Sequence, residues 1–267
     1  LEMACWDLHA RAQGLSVAGL LGKARPFIES GVSLGMEATP EALVEQAALY
    51  VEQGYQRIKI KIGPGRDVPF VAAVRQRFPN VALMVDANSS YTLADVALLQ
   101  TLDAFNLMMV EQPLGDDDIV DHATLQKQLR TPICLDESIR SVEDCRKALQ
   151  LDAGRIINIK VARLGGLGEA RKVHDLCLAR GIPVWCGGMH EFGVGRSANV
   201  AINSLPGFTL PGDVAGSDKS FREDVVDPPI RAHQGRVPVP LDRPGLGHDV
   251  VMERVERAVS TRLLLKR

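Results

Sequence analysis

The chain has 267 residues, 46% hydrophobic and 24% charged, with 24 Gly and 15 Pro, which excludes a collagenous or disordered polymer and predicts a large globular domain. Its 31 Lys and Arg against 33 Asp and Glu leave a formal charge of −2 with no long run of either sign, so no nucleic-acid partner is expected. Apolar runs such as Leu107-Met108-Met109-Val110 are far too short for a bilayer and no basic segment precedes an apolar core at the start, so neither a membrane span nor a signal peptide is expected. The five cysteines (Cys5, Cys134, Cys145, Cys177, Cys186) are odd in number and scattered, which reads as free thiols in a reducing cytoplasm. The six histidines form no HxxxH or HxH pair, so a metal held here would prefer oxygen ligands.

In chain order, residues 1–21 read as one helix with Ala4, Leu8, Ala12 and Leu15 near one face. From Phe27 onward, β-branched or apolar runs alternate with helix-period stretches. Candidate strands fall at 28–34, 57–62, 82–87, 106–111, 133–137, 155–161, 182–186 and 208–210. Candidate helices fall between them at 40–53, 67–78, 93–102, 119–128, 142–149, 167–180 and 194–204. Thr39-Pro40-Glu41 and Ser141-Val142-Glu143 are helix starts, and Gly54 and Gly181 are helix stops. Eight strand-helix units with no reversal of strand order predict a (β/α)8-type barrel rather than a doubly wound sheet. Gly63-Pro64-Gly65 lacks the Lys-Ser/Thr of a phosphate loop and reads as a turn, Asp116-Asp117-Asp118 as a loop that starts a helix, and Trp185 and Cys186 as core. Residues 228–247 read as a strand-and-turn excursion, and 250–265 as a final helix.

Five successive strands break the rule that parallel strands are apolar, and they do so one unit apart. They read Lys59-Ile60-Lys61, Asp86-Ala87-Asn88, Glu111-Gln112-Pro113, Asp136-Glu137-Ser138 and Asn158-Ile159-Lys160, with steps of 25, 25, 25 and 24 residues from Lys61 through Asp86, Glu111 and Asp136 to Lys160. Each charge stands where strand gives way to loop, the C-terminal mouth where barrel enzymes keep their active sites. Asp86, Glu111 and Asp136 would repel one another unless a divalent cation held them, and all-oxygen ligation selects magnesium or manganese. Lys59 and Lys61 share a face of their strand and point inward, where each should depress the other's proton affinity until one serves as a base. Lys160 lies four strands on, on the opposite wall. Taken singly each charge could be a salt bridge of the barrel mouth, but five in consecutive units make a site.

These segments, with Asn158-Ile159-Lys160 running on to Arg163-Leu164-Gly165-Gly166, resemble the enolase superfamily in its muconate-lactonising subgroup over nearly the whole chain. The stretch from Gly187 to Arg196 and that from Leu205 to Asp213 are similar to the o-succinylbenzoate synthase / N-succinylamino acid racemase branch. The resemblance implies a (β/α)7β barrel at 23–215, a C-terminal segment at 216–267 that returns to an N-terminal α+β capping domain, and residues 1–22 as the last helix of that cap, most of which lies outside this chain. It also implies abstraction of a proton α to a carboxylate, with Lys61 and Lys160 as acid and base, Lys59 as a neighbouring cation, and Asp86, Glu111 and Asp136 as ligands of magnesium, replaceable by manganese. Ser33, Asn88, Gly188, Met189 and His190 would line the substrate pocket. His190 departs from the apolar side chain usual at that position.

The activity implied is dehydration of a cyclohexadiene carboxylate to o-succinylbenzoate in menaquinone biosynthesis, or racemisation of N-acylamino acids, since both begin with the same proton abstraction. The partner implied is a small-molecule carboxylate, in a cytoplasmic homo-oligomer. The alternatives are a dipeptide epimerase, for which Asp213 is the candidate grip on a free ammonium, a cycloisomerase, or an inactive barrel serving as a binding subunit.

Overall fold

A computed structural model describes residues 1–261 and 263. The strands are β1 (Phe27–Glu29), β2 (Val32–Ser33), β3 (Ile58–Lys61), β4 (Leu83–Asp86), β5 (Val110–Glu111), β6 (Ile133–Leu135), β7 (Ile156–Ile159), β8 (Val184–Cys186), β9 (Val226–Asp227), β10 (Arg236–Pro238) and β11 (Asp249–Val250). Among the described residues, β2 to β8 form one seven-stranded sheet in sequence order, every pair parallel. The helices are α1 (Glu2–Gln13), α2 (Val17–Leu21), α3 (Pro40–Glu52), α4 (Val68–Arg77), α5 (Val96–Thr101), α6 (Ile119–Gln126), α7 (Val142–Gln150), α8 (Val161–Leu164), α9 (Leu167–Ala179), α10 (Gly193–Asn203) and α11 (Met252–Ala258). Helices α3, α4, α5, α6, α7, α9 and α10 are the crossovers the sequence predicts, and α8 is a short extra helix after β7 that ends at Gly165 in the left-handed conformation.

The predicted first and last strands differ from expectation. Residues 28–34 divide at Ser30-Gly31: β1 pairs antiparallel with β10, and only β2 enters the barrel. A side chain at Gly31 would lie 2.5 Å from the guanidinium carbon of Arg57, which is fully buried there, so the chain passes this point only as glycine. Residues 208–210 form a single bridge, Phe208 to Val184, because Pro211 has no N–H to continue a ladder. The ring still closes through 208–213. Leu210 N and Asp213 N donate to Val184 O and Cys186 O on one side, while Gly212 N donates to Glu29 O and Gly31 N to Gly212 O on the other.

The N-terminal helix is two helices, broken at Gly14 (φ 68°) and restarted by Ser16, whose hydroxyl accepts from Gly19 N. The expected face is also wrong: Ala10 is buried with Met3 and Trp6 packed on the core, whereas Leu8 and Leu15 are exposed. Helix α1 is anchored instead through Glu2, whose carboxylate accepts from Leu167 N and Gly168 N at 2.8 Å each and caps α9. Residues 228–247 are the expected irregular excursion and hold β10. The expected last helix is shorter, replaced by β11 and α11, and its reading over 262 and 264–265 falls outside the described residues.

Asp118 caps α6 through Asp121 N, and Gly63 and Arg66 close a turn, both as expected. All five cysteines are free, four of them buried. No helix among the described residues is long and apolar enough to cross a membrane.

Candidate active site

Period-two alternation stacks the barrel interior in layers. Met84, Met109, Cys134, Ile156 and Trp185 form an apolar floor, with the Arg57 guanidinium 4.9 Å from the Trp185 ring. Two residues further along the same strands stand Lys59, Asp86, Glu111, Asp136 and Asn158, all buried. One further step brings Lys61, Asn88 and Lys160 to the mouth, where they open on a cavity of about 420 Å³. Each expected pocket residue, Ser33, Asn88, Gly188, Met189 and His190, lines that cavity together with Lys59, Lys61 and Lys160.

The layer is held by charge-assisted bonds. Lys59 Nζ lies 2.7 Å from Glu111 Oε2 and 2.9 Å from Asp86 Oδ2. Lys61 Nζ donates to Asp86 Oδ2 at 2.6 Å and to Asn88 Oδ1 at 2.5 Å. Lys160 Nζ donates to Asp136 Oδ2 at 2.8 Å, and Arg163 donates to the other oxygen of Asp136. Asn158 Nδ2 donates to Glu111 Oε1 at 2.7 Å. Burial opposes the charge on Lys59, yet Glu111 and Asp86 outweigh it and hold the ammonium above the ordinary lysine range. The expected depression does not hold at Lys59: the carboxylates around it outweigh the neighbouring cation, and it stays charged.

Glu111 is pushed upward, first by burial and then by Asp86 and Asp136, against the pull of Lys59. The three carboxylates therefore feel one another. Among the described residues no three His, Cys, Asp or Glu side chains stand together as a ready metal-binding group. Each carboxylate is instead turned onto a cation: Asp86 onto Lys59 and Lys61, Glu111 onto Lys59, and Asp136 onto Lys160 and Arg163.

Several residues of the site carried no signal as single letters. Gln112, at φ 38°, is fully buried; its Nε2 donates to Ser138 Oγ and its Oε1 accepts from Asp136 N, which fixes the loop after β6. Glu191 accepts from Met189 N at 2.8 and 2.9 Å and from Asn199 Nδ2 at 3.0 Å, bracing the Gly188-Met189-His190 wall. Lys219 and Arg196 also reach the cavity. Asp213, which the sequence did single out for the epimerase alternative, lines it too, and burial of its carboxylate is outweighed by Arg57, Lys59, Lys219 and Lys160, which hold it below the usual carboxylate range.

Residues 42–254 match the model of the enolase C-terminal domain-like family. The chain belongs to the enolase superfamily. Within it, the chain is 55% identical to the o-succinylbenzoate synthase of Geobacillus kaustophilus over 96% of its own length and 68% of that protein's. It is 48% identical to the N-succinylamino acid racemase of Thermus thermophilus over 96% of its length and 69% of that protein's. The crystal structure of an enolase-superfamily member from Enterococcus faecalis superposes with a TM-score of 0.91 at 46% identity, covering 96% of this chain and 69% of that one. These likenesses put the chain in the o-succinylbenzoate synthase / N-succinylamino acid racemase family, to which dipeptide epimerases are more distant. Both kinds of relative are enzymes, and members of the superfamily bind a divalent metal.

Proposed function

We propose that the chain removes a proton α to a substrate carboxylate, with magnesium as cofactor, and works as an o-succinylbenzoate synthase of menaquinone biosynthesis, as an N-acylamino acid racemase, or as both. One observation carries this reading. Three buried carboxylates at the ends of consecutive strands are flanked by Lys61 from β3 and Lys160 at the end of β7, and both lysines open on the same cavity.

The donor set fits a hard divalent cation. Asp86, Glu111 and Asp136 offer only oxygen, and Glu111 is pushed upward by burial and then by its two acidic neighbours, a cost a cation would relieve. Turning these side chains off their lysines would let them hold the ion. Bound there, magnesium would anchor the substrate carboxylate and stabilise the negative charge that develops as the proton leaves.

The rest is done by the chain's own groups. Lys61 and Lys160 rise from strands four positions apart in the sheet and face the α-carbon from two sides. A neutral Lys61 takes the proton at Nζ, and Lys160 as its ammonium stabilises the charge from the other face. In racemisation Lys160 returns a proton on its own side, and the opposite hand reverses the roles. In dehydration Lys61 then hands its proton to the departing hydroxyl. Lys59, buried in the same layer as Glu111 and Asp86, supplies positive charge near the substrate.

The epimerase alternative needs Asp213 to bind a free ammonium. The four cations that lower its pKa give such an ammonium a poor reception. Incubating the chain in heavy water with magnesium and N-succinylphenylalanine should replace the α-hydrogen by deuterium, and chelation should stop it. Magnesium-loaded protein that neither exchanges this hydrogen nor dehydrates the cyclohexadiene carboxylate would refute the proposal.

A further inference from the structure

Glu137 lines the cavity with Lys61 and Lys160 but forms no ion pair among the described residues, since those two ammonium groups lie on Asp86 and Asp136. Its Oε1 accepts from Asn88 Nδ2 at 2.9 Å, and its Oε2 is buried without a donor. A carboxylate oxygen kept from water with no donor costs stability, so packing alone does not account for this residue. Asn88 carries the contact onward, because its Oδ1 accepts from Lys61 Nζ at 2.5 Å. The loops that hold Asn88 and Glu137 are both pinned to Gln112. Its backbone O accepts from Ser89 N at 2.8 Å, and its Oε1 accepts from Asp136 N at 2.9 Å and from Ser138 N at 3.3 Å, on either side of Glu137. Asn88 and Ser89 hold φ of 40° and 64°, a backbone region that side chains occupy mainly where the surroundings fix them.

We infer that Glu137 is a positioning residue for Lys61, acting through the side-chain amide of Asn88, and that it serves only the face of the substrate that Lys61 attends. A carboxylate only accepts, so it draws the amide nitrogen of Asn88 and turns the amide oxygen to Lys61. The same amide turned over would aim N–H donors at the ammonium and hold it poorly. The inference rests on the proposed reaction. There Asp86 turns from Lys61 to the metal, and Asn88 Oδ1 is the acceptor that still directs Nζ at the α-carbon. Among the described residues Lys160 is bonded to Asp136 and to no amide, so the opposite face does not depend on Glu137.

The test follows α-hydrogen exchange of each hand of N-succinylphenylalanine in heavy water with magnesium. The hand that Lys61 serves is the one whose exchange Lys61→Arg removes. Glu137→Leu should slow exchange of that hand about ten-fold, the worth of one charge-assisted hydrogen bond, and leave the other hand within about two-fold. Glu137→Gln can still accept from Asn88 but no longer dictates which way its amide turns, so it should slow the same hand about three-fold. This milder variant decides the matter if Glu137→Leu does not fold. In a chain already carrying Asn88→Ala, Glu137→Leu should add no further loss. Equal losses for both hands, no loss in either, or losses that multiply in the double variant would overturn the inference and leave the proposed reaction standing. A parent that exchanges neither hand would refute the proposed reaction, and the inference with it.

Discussion

Lys59 Nζ sits 2.7 Å from Glu111 Oε2 inside the barrel, with the two side chains 5% and 0% exposed. Taking one partner from such a pair leaves the other charge buried and unpaired, which costs about 3–5 kcal/mol. Lys59→Met should therefore lower stability by about that amount, read by urea denaturation without metal. Its freed carboxylates should then gain more from magnesium than those of the parent, because binding to the folded state alone stabilises it. Equal stabilisation of variant and parent by magnesium would show that Glu111 and Asp86 do not take part in metal binding.

A second test lies on the opposite wall of the same layer. A Cβ on Gly187 would fall 2.3 Å from Asn158 Oδ1 and 2.7 Å from Nδ2, so alanine must push Asn158 off Glu111. Gly187→Ala should cost about 1–3 kcal/mol of stability through overpacking and lower magnesium affinity about ten-fold through the loss of an outer partner. Metal titration of the purified variant checks this, and unchanged affinity would mean that Asn158 does not orient Glu111.

Glu2 offers a test far from the chemistry. It joins α1 to the start of α9 by two backbone bonds and receives a third from Trp6 Nε1 at 2.7 Å. Glu2→Ala should cost about 1–2 kcal/mol, the range for losing a helix cap with its charge. Thermal unfolding that matched the parent's would show that α1 is held by its apolar contacts alone.

Asp103 links the chain ahead of β5 to the entry of β6, accepting from Thr131 Oγ1, Thr131 N and Arg130 N at 2.6, 2.7 and 3.0 Å. Burial opposes its charge, but these donors prevail and hold its pKa below the ordinary value in the folded state. Its contribution is therefore complete above the unfolded carboxylate pKa of about 4 and is lost as pH falls through the lower folded value. Asp103→Asn should be less stable than the parent at neutral pH and should lose less stability between about pH 5 and pH 2. Parallel pH profiles for the two proteins would contradict this account.

The layer of buried charges was legible in the sequence because charges at one-unit spacing cannot be explained by strand propensity, and period two alone turns Lys59 and Lys61 to the same side. What eluded the sequence depends on contacts between distant segments. The division of 28–34 follows from Arg57 filling the space beside Gly31. The face of α1 follows from where Met3, Trp6 and Ala10 meet the core, and the spacing of Leu8 and Leu15 pointed elsewhere. Lys219 lies in an irregular segment after the last barrel unit, where no periodicity marks a residue that folds back to Ser33. The lowering of proton affinity expected from the Lys59-Lys61 pair does not appear at Lys59, because counting cations along one strand ignores Glu111 two strands away.

The central claim is that Lys61 and Lys160 serve opposite faces of one α-carbon. Its most direct test is α-hydrogen exchange of each hand of N-succinylphenylalanine in heavy water with magnesium, for the parent, Lys61→Arg and Lys160→Arg. The parent should exchange and racemise both hands. Each variant should lose racemisation while one hand still exchanges, and the surviving hand should differ between the two variants. Racemisation near the parent rate in both variants would contradict the assignment, since neither lysine could then be the base.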